Sequence, residues 1–299
     1  MVYCLRSPEC IKRQNPEGNV FCQYCGSSLL FRGHFRVIES LRTALYFETF
    51  LAQDVDFLLK PHVVRLFYYD NPCERGMQTK TTLEEQQFFR TEIQQIDRIA
   101  RSDISRIVAY FDVGDCFCMI REFVDGQTLL AEHEQQGPFD EDKIRKVLLE
   151  LLPILRYLHR QGIVHNAIKP SNIIRRKTGE LVAVDLGAAQ LTETVRYAHS
   201  LNTGIILYSA YTAPERYSGR PCTPAVDLFA LGVTCVALLA EAFDPYNDFT
   251  ILSRREPGEW QGLVQLPLSS QIISVINKLV DKDMRSRYSS ADEVLQALS

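Results

Sequence analysis

The hydrophobic period of this chain changes at Asp125-Gly126, and that change limits the fold more than any other feature. Before it, "HFRVIESL", "ETFLAQDV" and "HVVRLFYYD" alternate apolar with polar residues or are rich in β-branched and aromatic side chains, as strands are. "IVAYFDVGDCFCMIREFV" reads as two more strands around a Gly114-Asp115 turn. One helix interrupts them: "TLEEQQFFRTEIQQIDRIAR" has apolar residues at helical spacing and acidic residues in its first turn. After Asp125-Gly126 the pattern is mostly helical, with strong helices at Lys143 to His159 and Leu228 to Leu239. The terminal "SSADEVLQALS" sets Ser290 and Glu293 at capping-box spacing. Strands first and helices later predict an α+β body of two lobes with a cleft between them, the β-rich lobe at about 34–124 and the helical lobe at about 125–299.

The first 30 residues follow a different rule. Of nine cysteines in the chain, Cys4, Cys10, Cys22 and Cys25 crowd into this stretch. "FCQYCGSSL" is a CxxC followed by Gly26, a knuckle whose amides turn toward the thiolates and whose glycine permits the positive φ that closes it. "IKRQNPEGNVF" between the pairs is polar and turn-rich. Four thiolates round one zinc ion would supply the stability that so small a core cannot. A zinc-ribbon-like segment over 1–30 is therefore expected. Two alternatives are ordinary free thiols and a redox CxxC, although no βαβ context surrounds this one. Cys73, Cys116, Cys118, Cys222 and Cys235 have no such spacing, and Cys116 and Cys118 fit packing on a strand.

Composition excludes more than it identifies. A net charge of −4 gives no support to nucleic-acid binding. Arg175-Arg176-Lys177 reads instead as a solvated hairpin tip, since Thr178-Gly179-Glu180 is a turn signal. The apolar run Leu228 to Ala240 falls short of the roughly 20 residues that span a bilayer, so no membrane span is expected. Met1 to Arg6 lacks the charged-then-apolar pattern of a secretory signal, and a cytoplasmic chain with thiol and metal chemistry is the expectation.

Motifs in order carry a resemblance. "HNAIKPSN" at 165–172 is followed by a hairpin, then by "VDLG", "APE" and "DLFALG". From about His34 onward the chain resembles the eukaryotic-type Ser/Thr protein kinase superfamily, and with its cysteine head it is similar to bacterial, cyanobacterial-type four-cysteine kinases. The resemblance implies a two-lobed kinase-like domain over 34–299 and a phosphoryl-transfer site that works by positioning and charge stabilisation. It places Lys169 and Asn172 in the catalytic loop, Asp185 at the magnesium-binding position and Gly187 beside it. Glu92 stands for the ion-pair glutamate of the first lobe. Glu215 and Arg287 match a pair that ties the activation segment down, and Asp227 the anchor of the central helix.

The departures gather where chemistry would be. Ala167 occupies the position of the catalytic base, and a methyl can neither accept a proton nor orient a hydroxyl. Arg65 stands at the strand-lysine position, keeping charge but not shape. Arg42, Ala44 and Phe47 fall where the phosphate-loop glycines would be, with Tyr46 and Phe47 able to fold inward. Tyr208 replaces the usual activation-segment threonine.

A catalytically impaired kinase homologue is therefore expected, a pseudokinase that scaffolds a signalling protein or an active kinase. Two alternatives stand beside it. One is a Mg-nucleotide or anion sensor that uses Asn172 and Asp185. The other is a weak atypical Ser/Thr kinase acting on Mg-ATP with relocated groups. Arg42, Arg65 and Arg121 either plug the cleft against Glu92 and Asp185 or grip an anion, or else Arg42 and Arg121 point to solvent.

Overall fold

The computed structural model describes every residue except 6–9, 11, 44–46, 69–90, 92, 95, 97, 100, 114–115, 187–209, 219–221 and 244–258, and omits the side chains of 217, 218 and 259. Glu92, Gly187, Tyr208, Cys73, Ala44 and Tyr46 therefore lie outside the described residues. The chain divides into two compact units. The first takes the described residues of Met1–Arg98 and Arg106–Phe123, and the second those of Ile99–Ser105, Val124–Gln190 and Asn202–Ser299.

The first unit is built on an antiparallel sheet of β3 (Leu30–Phe31), β4 (Phe35–Thr43), β5 (Phe47–Asp54), β6 (Lys60–Tyr68), β7 (Ile107–Val113) and β8 (Cys116–Glu122), in spatial order β3-β4-β5-β6-β8-β7. The pleat sorts its side chains into two faces. Glu48, Phe50 and Ala52 of β5 share a face with Val64, Leu66 and Tyr68 of β6 and with Cys116, Cys118 and Ile120 of β8. Phe47 and Thr49 share the other face with Arg65, Phe67, Phe117, Met119 and Arg121. Cys116 and Cys118 are buried in the core with Phe50, Val64 and Leu66, and burial pushes the Cys118 thiol well above its ordinary range. Thr91, Ile93, Gln94 and Ile96 are helical, with both isoleucines buried, in the stretch whose spacing predicts a helix.

The cysteine head belongs to this same unit. Its short strands β1 (Val2–Tyr3) and β2 (Gln14–Asn15) pair antiparallel. Leu5 enters the sheet core, and the Tyr3 and Phe50 rings lie 6.1 Å apart. A head that small shares the sheet's apolar core in addition to its own cluster of Val2, Leu29 and cysteines.

The second unit is mainly helical, with α1 (Leu129–Gln136), α2 (Glu141–Arg160), α3 (Pro224–Leu239), α4 (Ser270–Leu279) and α5 (Ala291–Leu298) among the described residues. Asp140 caps α2 by accepting the Lys143 amide at 2.8 Å. α3 is buried on every side, and Gly232 explains how it approaches α4: a Cβ there would sit 2.7 Å from Leu279 Cβ. A small sheet, β11-β10-β9, joins β9 (Gly126–Thr128), β10 (Ile173–Arg176) and β11 (Leu181–Ala183). Gly126 is needed there, because a Cβ would fall 2.2 Å from the Arg175 carbonyl oxygen. Among the described residues no helix is long and apolar enough to cross a membrane.

Two local expectations change. Arg175 is not part of a solvated tip, because its Nε donates to Glu132 Oε2 at 2.9 Å; a buried carboxylate on α1 needs that charge. In the capping box the Glu293 amide donates to Ser290 Oγ at 3.3 Å, but the Glu293 carboxylate accepts from the Ser289 amide and hydroxyl, one residue earlier than expected.

Candidate functional site

In the second unit, α2 ends at Arg160 and Gly162 turns the chain at φ 73, a left-handed value that suits glycine. The segment 163–172 then runs beneath α3. Asp227, in the first turn of α3 and fully buried, accepts the His165 amide at 2.8 Å, the Asn166 amide at 2.7 Å and His159 Nε2 at 2.8 Å. Anchored from both amides, Asn166 sits at φ 57, a conformation asparagine tolerates better than most residues. His165 is fully buried between these groups, and among the described residues neither ring nitrogen finds a hydrogen bond. Burial holds its imidazole below the ordinary histidine range, against the opposing charges of Asp227 and Asp185.

The loop then brings three of the sequence-selected positions together. The half-buried Ala167 offers its carbonyl to Asn172 Nδ2 at 2.9 Å. The Asn172 carbonyl accepts the Val184 amide at 2.9 Å, which places Asp185 directly after a residue fixed to the loop. Asp185 is buried and held at φ 65, and Lys169 is half-buried on the same loop. A buried aspartate held at a left-handed φ is the kind of sparsely populated backbone that clusters at functional sites. At Ala167 the loop presents a methyl, with no group able to take a proton.

Glu215 and Arg287 also meet. Arg287 Nη1 donates to Glu215 Oε1 at 2.9 Å and Nη2 pairs with Oε2, while Nη1 reaches the Ala225 carbonyl at 3.0 Å. Both side chains are buried, and the guanidinium lies 5.2 Å from the Phe229 ring.

In the first unit Arg65 is buried in the sheet. Its Nε donates to Thr49 Oγ1 at 3.0 Å and its guanidinium lies 4.8 Å from the Phe47 ring. Arg42 approaches the same ring at 5.4 Å but is exposed, whereas Arg121 is buried. The expectation that Arg121 points to solvent is thus corrected: residue 121 shares its face with residues 63 and 65, and that face is covered. Thr49 had no signal in the sequence, since a threonine in a strand is unremarkable.

The sulfurs of Cys4, Cys10, Cys22 and Cys25 all lie within 4.8 Å of one another, with Cys4–Cys25 and Cys10–Cys22 each at 3.6 Å. Thiolates at about 2.3 Å from a tetrahedral ion stand about 3.8 Å apart, so the donor set fits such an ion. Gly26 has φ 69 and returns its amide to the Cys22 carbonyl at 2.9 Å. Burial opposes ionisation of Cys22, yet the amides of Cys25 and Tyr24 and the Asn15 side chain bring its thiol down to about 6. Ser27 lowers Cys25 in the same sense, while burial drives Cys10 up to about 11.

The protein kinase domain family matches residues 75–298. The chain belongs to that family. Serine/threonine-protein kinase B of Synechocystis sp. is 32% identical over 309 residues, covering 100% of this kinase-family chain and 52% of the relative. Serine/threonine-protein kinase PknA of Nostoc sp. is 30% identical, over 90% of the chain and 47% of its own length. The kinase-family chain thus spans about half the length of these curated relatives. Among solved structures, the PknI kinase domain of Mycobacterium tuberculosis superposes with a TM-score of 0.67 at 17% identity, covering 89% of this chain and 95% of that one. The apo form of PpkA-294 gives 0.69 at 19% identity over 89% and 96%. These likenesses establish the kinase fold, with a curled sheet unit and a helical unit.

Proposed function

We propose that this member of the kinase family is a pseudokinase, whose output is the binding of a signalling protein or an active kinase rather than phosphate transfer. The observation that carries the reading is Ala167. The loop around it is fully braced by Asp227 and Asn172, so the frame is kept while the proton acceptor is gone. Loss of a general base costs about 10² to 10⁴ in rate, and Arg65 in place of a compact ammonium removes positioning as well.

A second reading has its own support. Magnesium-ATP is the family's co-substrate, and Asn172 and Asp185 are the oxygen donors that would hold the ion, which supplies charge neutralisation to bound phosphates. A Mg-nucleotide sensor, or a weak Ser/Thr kinase, would use the same pair. The four cysteines are proposed to hold a structural zinc, on the strength of their spacing and the lowered thiols of Cys22 and Cys25. Such thiol chemistry suits a reducing, cytoplasmic setting.

Calorimetry of the purified protein with ATP, with and without magnesium, beside a sensitive phosphotransfer assay, separates these readings. The pseudokinase reading expects no turnover above background. Magnesium-dependent binding without turnover selects the sensor. Turnover abolished by Asp185→Asn would establish a weak kinase and discard the proposal.

A further inference from the structure

Strand β5 connects two regions that lie on opposite faces of one sheet. Its Phe47 and Thr49 contact Arg65: the phenyl ring lies 4.8 Å from the guanidinium and Thr49 Oγ1 accepts from Nε at 3.0 Å. Glu48, between them, points to the other face, where the cysteine head packs. There it accepts from both Arg13 Nη1 and the Tyr68 hydroxyl, and Arg13 Nη2 reaches that same hydroxyl at 3.2 Å. Tyr68 is buried and the Arg13 and Glu48 side chains are largely so, where a charge-assisted contact is worth more than on an open surface.

Arg13 is in turn tied to the sulfurs. Its carbonyl accepts the Cys4 amide at 2.8 Å and Asn15 Nδ2 at 2.9 Å, and the same Asn15 nitrogen lies 3.6 Å from Cys22 Sγ. An unbroken set of contacts thus runs from the thiol cluster through Asn15, Arg13 and Glu48 to the two residues that hold Arg65. Contacts alone do not make a coupling; β5, whose side chains are held on both faces, is the element whose arrangement both ends would bias.

We propose that the cysteine head positions Arg65 through β5, by way of an Arg13–Glu48–Tyr68 clamp, so that the head is a control element of the sheet and not a separate docking module. The clamp does not depend on whether the chain transfers phosphate, nor on which ion the sulfurs hold. A partner that grips the head, or anything that opens it, moves the residues on the far face.

The test uses the full chain. Hydrogen exchange is followed in β5 and β6, and the Arg65 Nε–Hε resonance, assigned by its loss in Arg65→Lys, reports the far face. Arg13→Gln and Glu48→Gln should each speed β5 exchange about tenfold, the scale of one charge-assisted bond. Each should also shift the Arg65 signal while metal content and exchange in α2 stay unchanged. The double variant should be no worse than either single one, since both remove one interaction. Cys22→Ser with Cys25→Ser should shift the same resonance in the same direction. Additive effects, or an Arg65 signal indifferent to Arg13→Gln and to the cysteine substitutions, would overturn the clamp. Faster exchange spread evenly into α2 would mean general destabilisation and would overturn it too.

Discussion

Asp227 accepts the backbone amide of His165 at 2.8 Å while its other oxygen takes Asn166 at 2.7 Å. Because the aspartate is fully buried, its charge is tolerable only with those donors and His159 in place. Asp227→Asn keeps the volume but sets an NH₂ group against N–H donors. The expected loss is about 3 kcal/mol, from breaking a buried charged network. Urea unfolding followed by helical circular dichroism measures it. A loss below about 1 kcal/mol, the worth of an ordinary hydrogen bond, would show that the loop is held by other contacts.

The buried Glu215–Arg287 pair makes a second stability prediction. Arg287→Ala leaves a buried carboxylate without its counter-charge, expected to cost about 3 to 5 kcal/mol. Replacing both with apolar residues of similar volume, Glu215→Leu with Arg287→Met, should recover much of that loss, because no charge is then left unpaired. Chemical denaturation of the two variants gives the comparison, and an equal loss in both would mean that shape rather than charge matters there.

What the sequence revealed follows physical range. Five of the six strands in the sheet unit and the helices α2, α3 and α5 were legible because period and turn residues act locally, whereas the two-residue β3 was not expected. The cysteine cluster was legible from one CxxC, Cys22 and Cys25, with Cys4 and Cys10 crowded near it in sequence, and Glu215, Arg287 and Asp227 only because ordered motifs resemble a family. β9 was not foreseen: Gly126–Thr128 is three residues long and exists because β10 offers it an edge. Arg13, Glu48 and Tyr68 were equally hidden, because a salt bridge across 35 positions leaves no pattern in either local stretch. The burial of Arg121 was left open for the same reason, since strand register decides which face a residue takes.

His165 gives a pH dependence with a definite sign. Its folded pKa is lowered, chiefly by burial, so the unfolded chain binds this proton more readily. Its contribution is fully present above the unfolded value of about 6.5 and is lost as pH falls below that value toward the folded one, at up to about 1.4 kcal/mol per pH unit. Asp227, Asp185 and His159 face the same imidazole, so the effect is read as a difference between wild type and His165→Asn. Unfolding free energies at pH 7.5 and 5.5 should converge for the two proteins at the lower pH. A constant gap would assign the pH dependence elsewhere.

Metal removal addresses the head directly. With four sulfurs within 4.8 Å and little apolar core of its own, the head, on the proposed zinc reading, should lose its fold when treated with a strong chelator. The expected result is release of a single zinc per chain, measured by a colorimetric chelator, with loss of exchange protection in β1 and β2. The helices of the second unit, which have their own core, should keep theirs. Absence of bound metal in protein purified without chelators would return the cysteines to the reading of free thiols.

On the pseudokinase proposal, Ala167→Asp would restore the base's carboxylate, and it tests how much of the site is absent. The backbone at 167 is already held by Asn172 Nδ2 at 2.9 Å, and the half-buried methyl leaves a side chain there partly open to water. The variant should therefore fold, with melting close to wild type. A general base acting alone recovers at most about 10² to 10⁴ in rate, and on the same proposal Arg65 presents a planar fork in place of a compact ammonium. Phosphotransfer by Ala167→Asp should thus stay far below that of an active kinase, and Ala167→Asp with Arg65→Lys should exceed it. Full activity in the single variant would mean that the nucleotide side of the site is intact. The defect would then be one residue deep, and the chain would be a kinase silenced at its base alone.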